Sequence, residues 1–284
     1  MQQVIKQNQV CWDKLSQKDV PFSRPKFDLT LTKAKSWLHK EIYNWESLEG
    51  KKVLCLASGG GQQGIAFALM GAEVTVVDFS AEQLKKDKQV AQRFNKSIRL
   101  VQTDMQDLSM LNDSEFDLVF QPYSINFIPK VDEVFNEVAR VLKPNGIYDL
   151  MFHNPFVHGS WKDANVGSKW EQSELWRGKG YPIWQPYEDS YPIQTVDPNW
   201  NFNNSLEEAV IMKAPQQFKH TLSTMVNGLI TRGLEVLNIK EAIGEKIEGK
   251  LPGTWEHYKT VAPPWIYVIT KKKSITTSSF RNEN

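Results

Sequence analysis

Short, almost entirely apolar runs alternate with helical patterns between residues 51 and 151 of this chain. Runs that are apolar on both faces and bounded by turn residues are typical of strands buried under helices on two sides. Strands are predicted over residues 52–57, 73–78, 98–102, 117–120 and 147–151. This alternation predicts the α/β class, with a doubly wound and mostly parallel sheet.

Two helices between these strands carry clear signals. Ser80 and Gln83 form a capping-box pattern, which starts a helix directly after the second strand and places Asp78 at that strand's carboxyl end. Apolar residues spaced three and four apart predict another helix over 131–142, which the Lys-Pro-Asn-Gly sequence at 143–146 ends. Further along, a helix is predicted over 215–231, followed by strands in the segments LEVLNIKEA and PWIYVITKKK.

The glycines after the first strand predict a cofactor loop. Gly59, Gly61 and Gly64 have the spacing G-x-G-x-x-G of a dinucleotide-binding turn. Glycines there let the backbone turn tightly and bring its N–H groups against a ligand at the positive N-terminus of the next helix. Asp78 can accept hydrogen bonds from both ribose hydroxyls. These two features fit a nicotinamide cofactor and an adenosyl cofactor equally.

The third strand separates the two cofactors. It ends in Asp104, a second carboxylate at the same edge of the sheet, placed to accept a hydrogen bond from the exocyclic amine of adenine. Two acidic strand ends in a row would repel a pyrophosphate group. They favour a ligand that has adenine and ribose but no phosphate.

In these motifs the chain resembles the class I S-adenosylmethionine-dependent methyltransferases, in particular the small-molecule methyltransferases. The resemblance rests on VLCLASGGGQQG, VTVVDFS, VQTDMQDL, FDLVFQPYSINFIP and ARVLKPNGIYDLMF, in that order. It covers residues 48–151 well and 215–272 more loosely. It implies a Rossmann-like, mostly parallel seven-stranded sheet with an antiparallel last strand, and S-adenosyl-L-methionine as the cofactor.

The resemblance also implies which residues hold the cofactor. Besides Asp78 and Asp104, it places Phe79 and Met105 on the two faces of the adenine. Around the methionine end it implies Ser58, Gly59, Gly60, Gly61 and the backbone at Gln121. The chain departs from the family pattern at two positions, where Cys55 replaces an acidic residue and Ala57 replaces a glycine.

Methyl transfer from a sulfonium is an in-line displacement that depends mainly on alignment and on the exclusion of water. A general base is needed only when the acceptor must lose a proton. The acceptor is expected at the carboxyl ends of the fourth and fifth strands, so Tyr123, Asn126, His153 and Asn154 are candidates to orient or deprotonate it. His153 is the first candidate for a base, and His220, predicted on the helix over 215–231, is a second.

The rest of the chain divides around this core. Residues 1–47 are predicted to form helices, and the resemblance implies that they cap the cofactor, with Trp12, Phe22 or Phe27 contributing to that cover. The core comprises 48–152 and 213–273, and 274–284 is predicted to be a disordered tail. Residues 153–212 are predicted to be a substrate-side insertion that closes over the site. This insertion contains five of the ten tryptophans and eight acidic against four basic residues, which suits a flat, apolar or cationic small molecule.

The composition of the chain limits the kinds of partner that it is expected to bind. With a net charge of +1 and 24% charged residues, nothing in the overall charge favours a nucleic acid. The two cysteines, Cys11 and Cys55, predict neither a disulfide framework nor a cysteine metal site. No signal-peptide core or membrane-spanning run is visible, so a soluble, cytoplasmic protein is expected, with no membrane partner and no metal. The oligomeric state is left open.

Together these features predict an enzyme that methylates an O, N or C atom of a small, aromatic or cationic metabolite. An NAD-dependent oxidoreductase is one alternative, because the G-x-G-x-x-G spacing matches literally. A non-catalytic module that binds S-adenosylmethionine is another.

Overall fold

The computed structural model describes residues 2–36, 47–156, 187, 189–192, 199–202, 210–244, 259–260 and 262–274. Its centre is a sheet of seven strands, which are β1 (Lys52–Leu56), β2 (Glu73–Asp78), β3 (Ile98–Gln102), β4 (Phe116–Pro122), β5 (Leu142–His153), β10 (Leu234–Glu241) and β11 (Trp265–Lys272). The order of the strands across this sheet is β10-β11-β5-β4-β1-β2-β3.

The first five strands of the sheet are parallel to one another, whereas β11 runs antiparallel to β5 and to β10. The predicted doubly wound α/β sheet is thereby confirmed. From β1 the chain adds β2 and β3 on one side, and β4 lies on the other side of β1. This reversal of direction opens a crevice at the carboxyl ends of β1 and β4, where ligands bind in sheets of this kind.

Helices cover both faces of the sheet. They are α1 (Gln2–Gln17), α2 (Leu31–Ser36), α3 (Gln63–Leu69), α4 (Ala81–Arg93), α5 (Val131–Val141) and α6 (Leu222–Ile230). In β1, Leu54 and Leu56 join one buried cluster with α5 and α6, while Val53 and Cys55 join a second cluster with α3 and α4. Side chains alternate between the faces of a strand, so a uniformly apolar strand needs cover on both.

Helix α5 follows its sequence signal closely. Every apolar residue that the three-and-four spacing selects is buried, and the helix ends before Leu142, which starts β5. The strand begins earlier than predicted because Leu142 already pairs with Phe116, ahead of a register shift. Predicted β2 and β3 have the bounds found in the structure.

The helix predicted over 215–231 is wrong at its start. Phe218–Lys219 is a short strand, β9, that pairs with β6 (Tyr191–Pro192). Thr221 then caps α6 by accepting a hydrogen bond from the backbone N–H of Thr224. His220 therefore lies before the helix and not on it, which corrects its predicted placement.

Most of the predicted insertion at 153–212 lies outside the described residues, as does the tail from 275 onward. Within the insertion the structure describes β6, and it describes β7 (Asn199–Phe202) paired with β8 (Val210–Lys213). In the described part of the chain, no helix is long and apolar enough to cross a membrane.

Candidate active site

The glycine loop lies between β1 and α3, pressed against α4. Gly60 and Gly61 have φ angles of +109° and +73°, a region that favours glycine. A Cβ at Gly61 would lie 2.7 Å from Val90 Cγ2 and 3.0 Å from the carbonyl oxygen of Lys86. Glycine is therefore required at position 61, because the loop backbone lies directly against helix α4.

Gly64, the last glycine of the literal dinucleotide pattern, has a different role. It lies inside α3, and a Cβ there would meet Val76 Cγ2 at 2.6 Å. It is a packing residue between a helix and a strand.

Asp78 ends β2 with a buried carboxylate beside the loop. Its Oδ2 accepts a hydrogen bond from the backbone N–H of Gly59 at 2.9 Å, and its Oδ1 accepts one from Ser80 at 2.9 Å. Burial raises the pKa of Asp78 to about 6. Among the described residues Asp78 forms no ion pair. The predicted cap is also present, because Ser80 Oγ accepts a hydrogen bond from the Gln83 N–H.

The end of β3 brings the adenine candidates to the same edge. Asp104 Oδ1 accepts a hydrogen bond from the backbone N–H of Gln106 at 2.9 Å, and burial raises its pKa. Met105 is buried, and its sulfur accepts a hydrogen bond from Gln121 Nε2 at 3.1 Å. Phe79 is half-buried directly after Asp78. The structure therefore brings together the side chains predicted to hold adenosine.

Gln121 has a fully buried side chain whose groups are already engaged. Its Nε2 also donates to Ser124 Oγ at 3.1 Å, and its Oε1 accepts a hydrogen bond from the Tyr148 hydroxyl. The resemblance implied the backbone of Gln121, which pairs with Leu150 of β5 in the sheet.

Tyr123 directly follows β4 and carries an unusual backbone conformation, with φ at +57°. Non-glycine residues with positive φ are uncommon and cluster at functional sites. Its hydroxyl donates a hydrogen bond to Gln217 Oε1 at 2.7 Å, and its carbonyl accepts one from Asn126 Nδ2 at 2.8 Å. The first contact orients the ring, and the second fixes the backbone of the turn after β4.

His153 and Asn154 follow at the end of β5. His153 is buried, pairs with Trp265 of β11, and lies next to Asn126, whose Oδ1 accepts a hydrogen bond from the His153 backbone N–H at 3.4 Å. Asn154 donates its backbone N–H to the carbonyl of Pro264 at 2.7 Å. The acceptor-side candidates Tyr123, Asn126 and His153 thus lie in one cluster.

His220 lies just before α6 and contacts the backbone that follows Asn126. Its Nε2 lies 3.0 Å from the Ile128 carbonyl, so that nitrogen carries the proton and donates it. Burial lowers the pKa of His220, so the ring is neutral near pH 7. With Nε2 engaged, Nδ1 is the nitrogen that could accept a proton.

Helix α1 lies across the same edge of the sheet. Gln9 Nε2 donates to the Phe79 carbonyl at 2.6 Å, and Asn8 Nδ2 donates to the carbonyls of Phe127 and Gln216, each at 3.0 Å. The Trp12 ring packs edge-on against Phe127 with ring centroids 5.3 Å apart. Sequence reasoning named Trp12 but missed Asn8, whose burial on a polar helix gave no local signal.

Asp87 was also missed. It is 1% exposed on α4, and its Oδ2 accepts a hydrogen bond from the backbone N–H of Gly60 at 2.8 Å. Burial raises its pKa to about 7. The sequence did contain a signal, because Asp87 lies three residues from both Leu84 and Val90 on the apolar face of the helix.

This chemistry suits an adenosyl sulfonium better than a dinucleotide. Two of the loop N–H groups, at Gly59 and Gly60, already donate to buried carboxylates, and both carboxylates would repel a pyrophosphate. A ligand with ribose hydroxyls, an exocyclic amine and a positive charge matches these acceptors. Fold and site together define the class of adenosyl-cofactor-binding methyltransferases.

Comparisons with known proteins agree with this assignment to the methyltransferases. A family model described as a methyltransferase domain matches residues 54–149. The chain is 34% identical over 197 residues to the uncharacterized methyltransferase YbaJ of Bacillus subtilis, covering 69% of this chain and 71% of that protein. This chain belongs to the class I S-adenosylmethionine-dependent methyltransferase family. It is an enzyme whose cofactor is S-adenosylmethionine, so the oxidoreductase and the non-catalytic alternatives are set aside.

The chain is also similar to a sterol methyltransferase and to a solved methyltransferase structure. Sterol 4-C-methyltransferase strm-1 of Caenorhabditis elegans is 33% identical over 144 residues, which cover 48% of this chain and 42% of that protein. A solved S-adenosylmethionine-dependent methyltransferase from Clostridium acetobutylicum superposes with a TM-score of 0.57 at 15% identity, covering 87% of this chain and 94% of the other. At that identity the superposition shows the fold alone.

Proposed function

We propose that this methyltransferase acts on an O, N or C atom of a small metabolite, and that Asp78 holds the ribose of its cofactor. The observation that carries the site is the buried Asp78 carboxylate, which meets the glycine loop and has no ion-pair partner among the described residues. A buried carboxylate without a cation is costly, and hydrogen bonds from two hydroxyls would offset that cost.

The other cofactor contacts follow from the same edge of the sheet. Asp104 is placed to accept a hydrogen bond from the adenine amine, with Phe79 and Met105 against the faces of the ring. The backbone from Ser58 to Gly61, together with the backbone of Gln121, would surround the methionine part. These roles rest on the strand ends that the fold brings together.

The bound cofactor supplies an activated methyl group. The protein's own part is to align an acceptor with that group and to keep water away. Tyr123, Asn126, His153 and Asn154 lie at the carboxyl ends of β4 and β5, where an acceptor would approach. His153 is our first choice for a base where the acceptor must lose a proton, and His220 is second because its Nε2 is engaged with Ile128.

The chemistry of the acceptor is proposed from the sequence of residues 153–212. This segment is rich in tryptophan and tyrosine and has an excess of four acidic residues, which favours an aromatic or cationic molecule. The relative from Caenorhabditis elegans is named for methylation at carbon, which supports keeping carbon among the acceptor atoms.

A metabolite screen with a cofactor carrying a labelled methyl group tests the proposal. The purified protein is incubated with small-molecule fractions, with a protein extract and with RNA, and label transfer is followed in each. Label in a small molecule that disappears in the Asp78→Ala variant is the expected result. Label confined to protein or to RNA would overturn the proposed acceptor class.

A further inference from the structure

A second buried carboxylate lies beneath the glycine loop, on the helix that packs against it. Asp87 of α4 uses Oδ2 to accept the hydrogen bond from Gly60. Its Oδ1 is buried and has no hydrogen-bond partner among the described residues. Asp87 Oδ1 therefore has unused capacity to accept a hydrogen bond, while the backbone N–H groups of Gly60 and Gly61 stabilise the ionised carboxylate.

Gln83 lies one turn earlier on the same face of α4. Its Oε1 is also buried without a partner in the part of the chain that the structure describes. That oxygen would lie 3.1 Å from a Cβ built at Gly60, so it points at the loop. Two oxygen atoms from α4, Asp87 Oδ1 and Gln83 Oε1, are thus buried beside the loop without a hydrogen-bond partner among the described residues.

No described cation compensates Asp87. Lys86, the adjacent residue on α4, is turned away and binds Asp19 at 2.8 Å and the Ser23 carbonyl at 2.8 Å. The titratable groups that interact electrostatically with Asp87 are Cys55 of β1 and Asp78 of β2. Burial and the nearby Asp87 carboxylate raise the pKa of the Cys55 thiol, so it stays neutral. The surroundings of the loop are therefore anionic.

This charge distinguishes the two forms of the cofactor. S-adenosylmethionine carries a sulfonium, whereas the product S-adenosylhomocysteine carries a neutral thioether in its place. The two molecules are otherwise almost identical in their polar groups. An anion fixed beneath the loop attracts the first more strongly than the second.

We propose that Asp87 is a positioning residue that holds Gly60 in place and, through its charge, makes the loop prefer the sulfonium form of the cofactor over the product. The proposal rests on the assignment of this loop and Asp78 as the cofactor site. A residue that only anchored the loop would affect both ligands equally, which separates the two roles.

The test is calorimetric binding of both ligands to Asp87→Asn at about pH 8. Asparagine keeps the shape and can still accept the hydrogen bond from Gly60, but it removes the charge. The affinity for S-adenosylmethionine is expected to fall by about fivefold or more, while that for S-adenosylhomocysteine changes by less than about twofold. An unchanged ratio of the two affinities would overturn the proposal.

Glu82→Gln is the matched control. It removes one negative charge from the same helix, at a partly exposed position paired with Lys85 at 2.5 Å, and should leave the ratio unchanged. Asp78→Asn separates a failure of the proposed cofactor site from a failure of the role proposed for Asp87. If Asp78→Asn does not weaken either ligand, the site assignment is wrong; if it weakens both while Asp87→Asn leaves the ratio unaltered, only the role of Asp87 is wrong.

A measurement on the unmodified protein covers the case in which Asp87→Asn does not fold. Proton release on binding is obtained near pH 7 by calorimetry in buffers of different ionisation enthalpy. Because a sulfonium next to the anionic groups favours their ionised form, S-adenosylmethionine should release more protons than S-adenosylhomocysteine. Equal release by the two ligands would contradict the proposal.

Discussion

Asp78 and Asp87 accept hydrogen bonds from adjacent amides of one loop, Asp78 from Gly59 at 2.9 Å and Asp87 from Gly60 at 2.8 Å. One carboxylate comes from the end of β2 and the other from the buried face of α4. The loop that would bind a phosphate in a dinucleotide enzyme is thereby surrounded by negative charge. This relationship gives the cofactor site its electrostatic character.

Removal of the Asp78 carboxylate should abolish tight cofactor binding. Asp78→Ala is expected to weaken S-adenosylmethionine at least about tenfold, because two charge-assisted hydrogen bonds to the ribose are lost. Isothermal calorimetry measures the change. Asp107→Ala, an exposed aspartate beyond β3, is the control and should bind normally. Unchanged affinity in Asp78→Ala would show that the ribose binds elsewhere.

Substitution of Gly61 should be more damaging than its backbone angle alone explains. Gly61→Ala adds a Cβ at 2.7 Å from Val90, and we expect a loss of about 2 kcal/mol or more in the free energy of unfolding. Gly233 has the same φ of +73°, and a Cβ at that position would have no atom within 4 Å. Gly233→Ala therefore reports backbone strain alone. Equal losses in urea denaturation of the two variants would contradict the close approach of the loop to α4.

Burial of Asp87 should make stability fall with rising pH. Its pKa in the folded chain is about 7, above the value of an unfolded aspartate, so the folded state binds the extra proton between about pH 4 and 7. That contribution is present at low pH and is lost as the pH rises through 7. Between pH 5.5 and 8 the loss is ~2 kcal/mol, from 1.36 kcal/mol per pH unit.

The measurement compares urea denaturation of the ligand-free protein with that of Asp87→Asn across this range. The comparison is needed because His220, whose pKa is lowered by burial, has the opposite effect and destabilises the fold as the pH falls. Asp87→Asn should gain relative stability as the pH increases. A difference between the two proteins that does not vary with pH would contradict the prediction.

Asn8 should stabilise the contact of α1 with the core. Asn8→Ala removes two hydrogen bonds from Nδ2 and one to Oδ1, and leaves the N–H of Gln216 without that acceptor. We expect a loss of ~2 kcal/mol in the free energy of unfolding. Gln7→Ala, at the exposed neighbouring position, should change it by less than ~0.5 kcal/mol. Similar values for the two variants would exclude this role.

The acceptor side can be tested once the metabolite screen supplies a substrate. Tyr123→Phe and His153→Gln are each expected to lower kcat by about tenfold or more, without changing cofactor affinity more than about twofold. Steady-state kinetics and calorimetry give the two quantities separately. A reduced cofactor affinity at unchanged kcat would instead place these residues in the cofactor site.

Local pattern predicted much of the core. The bounds of β2 and β3 and the burial of the apolar face of α5 could be read from runs of apolar residues, because each depends on neighbours close in sequence. The start of α6 could not be read in this way. Phe218–Lys219 becomes a strand by pairing with Tyr191–Pro192, a contact between segments far apart in the chain.

The sequence by itself determined the class of sheet, the glycine loop and the acidic residues at the ends of β2 and β3. Those features need only the periodicity of side chains and the turns between strands. The tertiary structure decided that Asp87 meets Gly60, 27 residues away, and that Asn8 joins α1 to Gln216, 208 residues away. A hydrogen bond depends on where two atoms lie in space, and a helical pattern shows only that Asp87 is buried.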